Sequence, residues 1–202
     1  MRRRAMMTPS ATLGGSLEFD DVDDYIEVPL VGITNQSSFS VSALFPPIQE
    51  YQRSYLLYNL NYSFLLAVHT QNQQGLFFNF NVGGQTRTGT VDGDFIDGNE
   101  HVFTTIKENG IYRLYVDGTV QPVFDIGDAN DPPFVNDNVF IGRFGTLSFF
   151  FHAVVKYLKF SSTGDLNDLT NDLNARSDGV FIDLITQNLY SNLGAGDLIY
   201  HP

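Results

Sequence analysis

Alternating apolar and polar side chains are the feature of this 202-residue chain that most restricts its fold. In residues 75–84, GLFFNFNVGG, Leu76, Phe78, Phe80 and Val82 fall on one face of an extended strand and the residues between them on the other. Residues 111–116, IYRLYV, alternate in the same way. A helix would instead repeat its apolar face every three to four residues. The alternation therefore predicts a protein built mainly from β-strands.

Turn-forming residues separate these stretches. Residues 69–75 (HTQNQQG) and 108–110 (ENG) are polar and contain glycine, and Asp117-Gly118 is a two-residue hairpin signal. Further strands are predicted at about 17–20, 24–30, 39–45, 55–60, 63–69, 101–107, 119–124, 138–142, 153–161, 180–184 and 197–200. Many short strands with frequent turns indicate an antiparallel two-sheet sandwich of the jelly-roll type.

One segment has the spacing of a helix. In residues 164–174, GDLNDLTNDLN, Leu166, Leu169 and Leu173 recur at positions i, i+3 and i+7, and Asp165 places negative charge in the first turn. We therefore predict a single short surface helix near residues 165–173.

Composition limits the partners and the number of domains. The length suits one sandwich domain, and no linker or internal repeat divides it. A net charge of −12 argues against nucleic acid as a partner, because duplex binding needs a basic face. No stretch approaches the ~20 apolar residues of a membrane-spanning helix. The opening, MRRRAMMTPSATLGG, lacks the apolar run of a signal peptide, so we expect no export by the usual secretory route.

The acidic stretch at residues 16–30, SLEFDDVDDYIEVPL, has three interpretations. Glu18, Asp20 and Asp23 fall close to the E-x-D-x-x-E spacing of some sandwich glycosidases, although the third acid is aspartate. Alternate strand residues lie about 6.6–6.8 Å apart, within reach of a catalytic carboxyl pair. The same acids could instead bind calcium, or form the polar edge of a strand.

Two loops are further calcium candidates, because calcium takes six to eight oxygen ligands. They could equally be solvated acidic turns. The first loop offers Asp92, Asp94, Asp97, Asn99 and Glu100, and the second offers Asp125, Asp128, Asn130, Asp131 and Asp137.

No motif for catalysis appears. The chain has no cysteine, and His69, His101, His152 and His201 lack the H-x-x-x-H and H-E-x-x-H spacings of zinc proteases. A nucleophile elbow and a phosphate-binding glycine loop are also missing from the sequence. We therefore expect no enzymatic activity, no catalytic residue and no required cofactor or metal.

Aromatic residues are abundant, with 18 Phe and 10 Tyr. Most should fill the core, but some could stack on sugar rings or meet a neighbouring subunit. The candidates for a glycan platform are residues 148–152 (SFFFH), Tyr51, Tyr55, Tyr58 and Tyr62.

Four stretches taken together resemble laminin-G-like, concanavalin A-like sandwich domains. They are SLEFDDVDDYIEVP (16–29), HVFTTIKENGIYRLYVDGTVQ (101–121), NVFIGRFGTLSFFFHAVVKYLKFSS (138–162) and ARSDGVFIDLITQNLYSNLGAGDLI (175–199). The last is similar to the tail that closes such domains in bacteriophage structural proteins. Lys156 and Tyr157 stand where the family usually has an Asp-Glu pair.

The resemblance implies the sandwich fold and a binding or assembly role, and it implies no reaction. It makes the acids of the opening stretch a fold signature and gives His101 a packing role. It also places the domain at residues 13–202, after a basic arm at residues 1–12.

The arm carries a run of arginines followed by methionines. We expect it to anchor the protein, with guanidinium groups pairing with carboxylates of a neighbour and methionine side chains filling an apolar groove. A solvated tail or a nucleic-acid contact are the alternatives. The anchoring residues are Arg2, Arg3, Arg4, Met6 and Met7.

These observations lead to one expected function and one alternative. We expect a non-enzymatic bacteriophage virion protein, assembled in the host cytoplasm as a surface decoration or appendage component. It would dock on capsid or tail proteins through its arm, in many copies or as a homo-oligomer. The alternative is a lectin-like carbohydrate-binding module for host-surface glycans, assisted by calcium.

Overall fold

The structure, a computed structural model, consists of strands and turns in every part of the chain that it describes. Among these residues no helix has the length and apolar character needed to cross a membrane. The described residues are 13–20, 23–29, 38–46, 53–59, 64–69, 75–82, 85–93, 95, 97–108, 111–121, 138–144, 149–150 and 152–202.

The strands are short, as the frequent turns predict. In chain order they are β1 (Ser16–Asp20), β2 (Ile26–Pro29), β3 (Ser38–Leu44), β4 (Arg53–Asn59), β5 (Phe64–His69), β6 (Gly75–Val82), β7 (Gln85–Asp92), β8 (Glu100–Glu108), β9 (Ile111–Val116), β10 (Thr119–Val120), β11 (Asn138–Ile141), β12 (Arg143–Phe144), β13 (Phe149–Phe150), β14 (His152–Ser161), β15 (Asn171–Ala175), β16 (Phe181–Asp183), β17 (Leu189–Tyr190) and β18 (Ile199–His201).

Two antiparallel sheets form the body. The large sheet has the order β10-β9-β8-β3-β14-β15-β16-β17, and β1 also pairs with β14 and with β18. The small sheet has the order β2-β11-β4-β5-β6-β7, while β12 and β13 pair with each other. The predicted fold class, an antiparallel two-sheet sandwich, is confirmed.

The core lies between the two sheets and follows the alternation of the sequence. On β3, Phe39, Val41 and Ala43 are buried in the core, and on β1 Leu17 and Phe19 are fully buried. Strands β2 and β11 of the small sheet add side chains to the same cluster. Burial of these apolar side chains is the main stabilising contribution to such a sandwich.

Side chains between the core positions point to the other side of the large sheet, here called the outer face. Its polar side chains include Glu18, Ser40, Ser42, Glu100, Thr104, Tyr115, His152, Lys156, Tyr157, Lys159 and His201. Of these, Ser40 and Ser42 are buried, and the others are at least partly exposed to solvent.

The predicted hairpin turn at Asp117-Gly118 is confirmed. Both residues have positive φ, 51° and 76°, and they connect β9 with β10. This is the conformation of the two-residue turn that fits the twist of a β-hairpin. Asp and Gly adopt it more readily than other residues, which is why the dipeptide predicts the turn.

The predicted helix near residues 165–173 is wrong. Asp165 begins a turn instead: its carboxylate accepts hydrogen bonds from the N–H (2.8 Å) and the side-chain amide (2.9 Å) of Asn167. The backbone oxygen of Asp165 also accepts from the N–H of Asp168 at 2.8 Å. Aspartate and asparagine side chains compete in this way with the backbone bonds of a helix.

The second half of the predicted helix is strand β15. Asn171, Leu173 and Ala175 are buried at alternate positions, between the neighbouring strands β14 and β16. Of the three leucines, only Leu173 is fully buried. Pairing on both sides of β15 therefore overrides the local helical spacing.

Candidate functional site

The acidic stretch and the C-terminal tail contact each other. Asp24 is buried, and its carboxylate accepts hydrogen bonds from the N–H of Asp20 (3.0 Å) and from the side-chain amide of Asn192. The side-chain oxygen of Asn192 in turn accepts from the N–H of Tyr25 at 3.0 Å. The tail is thus fastened to the opening stretch by side-chain amide and carboxylate groups.

The tail also approaches this stretch through its backbone. Asp23 accepts a hydrogen bond from the N–H of Ala195 at 3.1 Å, and Leu193 donates to the carbonyl of Tyr25 at 2.9 Å. A Cβ at Gly194 would overlap the carbonyl of Asp23, so only glycine fits there. These contacts support the interpretation of Asp23 and Asp24 as a fold signature.

Glu18, the first acid of the glycosidase-like spacing, lies on the outer face between two histidines. His152 Nε2 is 2.8 Å from Oε1 and His201 Nε2 is 2.6 Å from Oε2. The hydrogen bond to His152 outweighs burial and, with that to His201, lowers the pKa of Glu18. A general acid of a glycosidase needs the opposite shift. Sequence reasoning missed this cluster, because neither histidine is close to Glu18 in the chain.

Asp20, Asp23 and Asp24 form a candidate cation site. Their ligand oxygens lie within 4.8 Å of one another, which holds for no other trio of acids or histidines in the described ranges. Burial, with the charges of Asp20 and Asp23, raises the pKa of Asp24 despite hydrogen bonds from Asp20 and Asn192. A cation would relieve this repulsion. Calcium would take further oxygens beyond these three carboxylates.

The described residues of the first predicted calcium loop do not bring their side-chain oxygens together around one point. Asp97 accepts from the N–H (2.8 Å) and the side-chain amide (2.6 Å) of Asn99, while Glu100 contacts the outer-face residues Ser42 and Lys156. The side chain of Asp92 is not described, and Asp94 lies outside the described residues, as do Asp125, Asp128, Asn130, Asp131 and Asp137.

His101 connects this loop to the β9–β10 hairpin. Its Nδ1 is 2.7 Å from Asp117 and its Nε2 is 3.1 Å from Asp97, while Phe95 packs edge-on against the ring at 5.7 Å. Asp117 also accepts from the N–H of Val102 at 2.8 Å. Both ring nitrogens can donate to carboxylates only when the imidazole is protonated.

This arrangement predicts a pH dependence of stability. Burial lowers the pKa of His101, but hydrogen bonds to Asp117 and Asp97 and their charges outweigh it, so that the pKa is raised. Hydrogen bonds from Asn99 lower the pKa of Asp97 to about 2, so it is ionised throughout. Because the folded pKa of His101 exceeds the unfolded value of 6.5, its stabilisation is present below that value and lost as the pH rises through the folded pKa.

We expect the thermal midpoint to fall as the pH rises from about 6 to about 9, and to fall less in a His101→Gln variant. Differential scanning calorimetry at several pH values measures both slopes. Equal slopes in the two proteins would contradict the assigned protonation of His101.

The outer face carries a row of side chains across four paired strands. Tyr115 of β9 pairs with Thr104 of β8, which pairs with Ser40 of β3, which pairs with Lys159 of β14. The hydroxyls of Ser40 and Thr104 are 2.9 Å apart. Tyr157 lies beside the row, and its ring centre is 5.1 Å from the ammonium group of Lys159.

Only part of the predicted glycan platform, and none of the arm, lies within the described residues. Tyr55 and Tyr58 lie in β4 and Phe149 and Phe150 in β13, with their side chains not described. His152 is described and contacts Glu18. Outside the described residues lie Tyr51, Tyr62, Ser148 and Phe151, together with the arm residues Arg2, Arg3, Arg4, Met6 and Met7.

Several solved structures are similar to this chain in fold. A Bacteroides ovatus protein provisionally described as carbohydrate-binding superposes with a TM-score of 0.66 at 13% identity, over 94% of this chain and 60% of its own. Domains LG4-5 of the mouse laminin alpha1 chain superpose with a TM-score of 0.57 at 15% identity, over 90% of this chain and 50% of their own. The heptameric SAP-like pentraxin of Limulus polyphemus superposes with a TM-score of 0.53 at 9% identity, over 77% of this chain and 76% of its own.

At these identities the likeness shows the fold alone, and this chain spans only 60% of the Bacteroides protein. No curated protein matches the chain in sequence. The laminin-G family model described as "Concanavalin A-like lectin/glucanases superfamily" matches residues 20–163, well over half of the chain. The laminin-G-like resemblance of the sequence is thereby confirmed, and the chain belongs to the concanavalin A-like lectin/glucanase superfamily.

Proposed function

We propose that this protein is a non-catalytic carbohydrate-binding module that binds oligosaccharides on the outer face of its large sheet. The observation that carries the proposal is the row Tyr115, Thr104, Ser40 and Lys159, in a member of a lectin and glucanase superfamily. Sugar sites combine an aromatic surface for C–H groups with a few polar groups that fix orientation.

The dimensions of the row suit an extended ligand. Four strands at about 4.8 Å spacing give a row of about 14 Å, long enough for an oligosaccharide. Ser40 is nearly buried, while Tyr115, Thr104 and Lys159 are half-buried and flank it. A sugar would therefore contact the flanking side chains, with the serine at the bottom of the row.

The net charge of the chain favours neutral or amino sugars over sulfated polymers. On the outer face itself, Lys156 and Lys159 offset the charges of Glu18 and Glu100, and Glu100 is paired with Lys156 at 3.3 Å. The whole chain carries a net charge of −12. A polyanion would be repelled at long range by such a charge.

A Tyr115→Ala variant should bind glycans about tenfold more weakly than the unchanged protein, because a stacking contact worth about 1 kcal/mol or more is lost. A glycan array identifies the ligand, and titration calorimetry measures the affinities. The control is Ile185→Ala, which removes an exposed side chain on the turn after β16.

The same array is run with calcium and with a chelator, since Asp20, Asp23 and Asp24 could assist binding through a cation. The proposal would be overturned if the unchanged protein bound no glycan on the array. Equal affinities of Tyr115→Ala and the unchanged protein would place the site elsewhere and contradict the assigned row.

The virion role stays a prediction. Its support is the likeness of residues 175–199 to the tails of phage domains, and the docking of Asn192 and Gly194 on the opening stretch fits a tail that completes the sandwich. A decoration protein that binds host glycans would combine both functions.

A further inference from the structure

Lys159 is a cation without a carboxylate partner in a strongly acidic chain. The chain has 23 acidic and 11 basic residues, so carboxylates outnumber cations. In the described part of the chain, Lys156 pairs with Glu100 at 3.3 Å and Arg176 with Asp178 at 2.9 Å, whereas no carboxylate there lies within ion-pair distance of Lys159. The charge of Lys159 is therefore available to a ligand.

The acid that lies opposite Lys159 in the sheet bonds to another group. Asp172 of β15 is the register partner of Lys159 on β14, and its Oδ1 accepts a hydrogen bond from the side-chain amide of Asn174 at 2.8 Å. The ammonium group of Lys159 instead lies 5.1 Å from the ring centre of Tyr157. A cation–π contact of this kind holds the ammonium group on the outer face and leaves its charge in place.

Lys159 stands at one end of the row that we propose binds sugar. Ser40 lies opposite it on β3, with its hydroxyl 2.9 Å from that of Thr104. Tyr115 stands at the other end, about 14 Å away across the strands. Lys159 and Tyr157 are both half-buried, so packing restricts their side chains before a ligand arrives. A ligand in the row would meet an aromatic ring at one end and a fixed positive charge at the other.

A mostly neutral glycan with one acidic sugar fits this distribution of charge. One carboxylate can form a charge-assisted hydrogen bond with the ammonium group. It is little affected by distant acids, because charges more than about 10 Å away are screened at 0.1 M salt. A polymer with a charge on every sugar would extend beyond Lys159, where the net charge of −12 repels it.

We propose that the row binds oligosaccharides that carry a carboxylated sugar, and that Lys159 binds the carboxylate while another sugar stacks on Tyr115. This inference rests on the proposed function, because it assumes that the row binds glycan. The ligand class is a uronic or sialic acid set among neutral sugars. Lys159 is then the residue that distinguishes the charged form of a glycan from its neutral form.

The test compares acidic oligosaccharides with their methyl esters, which remove the charge and nearly keep the size of the ligand. A glycan array carries uronic acid and sialic acid oligosaccharides in both forms, which shows which acid is bound, and titration calorimetry measures the affinities. The unchanged protein should bind the acid about five- to tenfold more tightly than its ester. Lys159→Met, which keeps the apolar stem, should bind acid and ester equally, and should bind the ester as tightly as the unchanged protein does.

Two further variants test the neighbouring charges. Lys156→Met removes the paired lysine of the same strand and should keep the preference for the acid. Asp172→Asn removes the carboxylate opposite Lys159 at nearly constant shape and should strengthen binding of the acid about twofold or more, because a repulsion is lost. Loss of the preference in Lys156→Met, or weaker binding of the acid in Asp172→Asn, would contradict the assignment to Lys159.

The outcomes separate this inference from the proposed function. If the unchanged protein bound acid and ester equally, or preferred a monosulfated glycan, the carboxylate specificity would be overturned while glycan binding would stand. Persistence of the preference in Lys159→Met would likewise overturn the inference alone. Binding of no glycan at all would overturn both.

Discussion

Replacing Phe103 by alanine is expected to lower the free energy of unfolding by about 3–5 kcal/mol. Phe103 is fully buried in β8, and its ring lies at the centre of an aromatic group. Phe45 is 6.2 Å away and Phe95 6.0 Å away between ring centres, both in edge-on arrangements. Removing the ring loses its burial and leaves a cavity that the surrounding strands cannot close.

Chemical denaturation monitored by circular dichroism measures the change. The matched control is Leu189→Ala on β17, where the leucine is 57% exposed, and its free energy of unfolding should change by no more than about 0.5 kcal/mol. A loss below about 1 kcal/mol in Phe103→Ala would mean that this ring is not part of the core.

The second large effect is expected at Asp183, the buried acid of β16. Its carboxylate accepts hydrogen bonds from the side-chain amide of Asn171 (2.7 Å), the backbone N–H of Asp172 (3.0 Å) and of Ile185 (3.0 Å), and the hydroxyl of Thr186 (2.8 Å). Asp183→Ala would leave these donors without their acceptor. Since a stranded buried donor costs about 1–3 kcal/mol, we expect a loss of about 3 kcal/mol or more.

The loss should be concentrated in the tail. Asp183 joins β15 to the turn that follows β16, so amide hydrogen exchange in residues 181–201 should accelerate in the variant. Asp197→Ala, which alters an exposed acid of the same tail, is the control and should behave like the unchanged protein. If amide exchange in residues 181–201 were as slow in Asp183→Ala as in the unchanged protein, Asp183 would not have the assigned role of holding the tail.

Asp183 also predicts how acid affects the protein. Burial opposes its ionisation, but the hydrogen bonds from Asp172, Thr186, Ile185 and Asn171 outweigh burial and lower the pKa. The stabilisation is therefore present above the unfolded pKa of 3.8 and is lost as the pH falls through the lower folded pKa. The Asp183→Ala variant lacks this component of acid sensitivity.

Most strands could be predicted because their pattern is local. The alternation in residues 76–82 and 111–116 gave β6 and β9 with nearly correct bounds. Strand β7 was missed because its sequence, QTRTGTVD, has almost no apolar side chains to alternate. Its strand conformation comes from pairing along the whole length of β6, which the sequence of β7 does not encode.

The error at residues 165–173 has the same origin. The leucine spacing describes what the segment could form in isolation, but its second half lies between β14 and β16. There the backbone groups of β15 bond to both neighbours, and Leu173 reaches the core from an extended chain. Tertiary pairing outweighed a weak local preference.

By itself the sequence determined that the chain forms antiparallel sheets around an aromatic core, because side-chain alternation and turn residues such as Asp117-Gly118 act between near neighbours. Only the tertiary structure decided which strands lie side by side. Glu18 is 134 residues from His152 and 183 from His201, and Asp24 is 168 from Asn192. Contacts over such separations depend on sheet order and register, which no local pattern specifies.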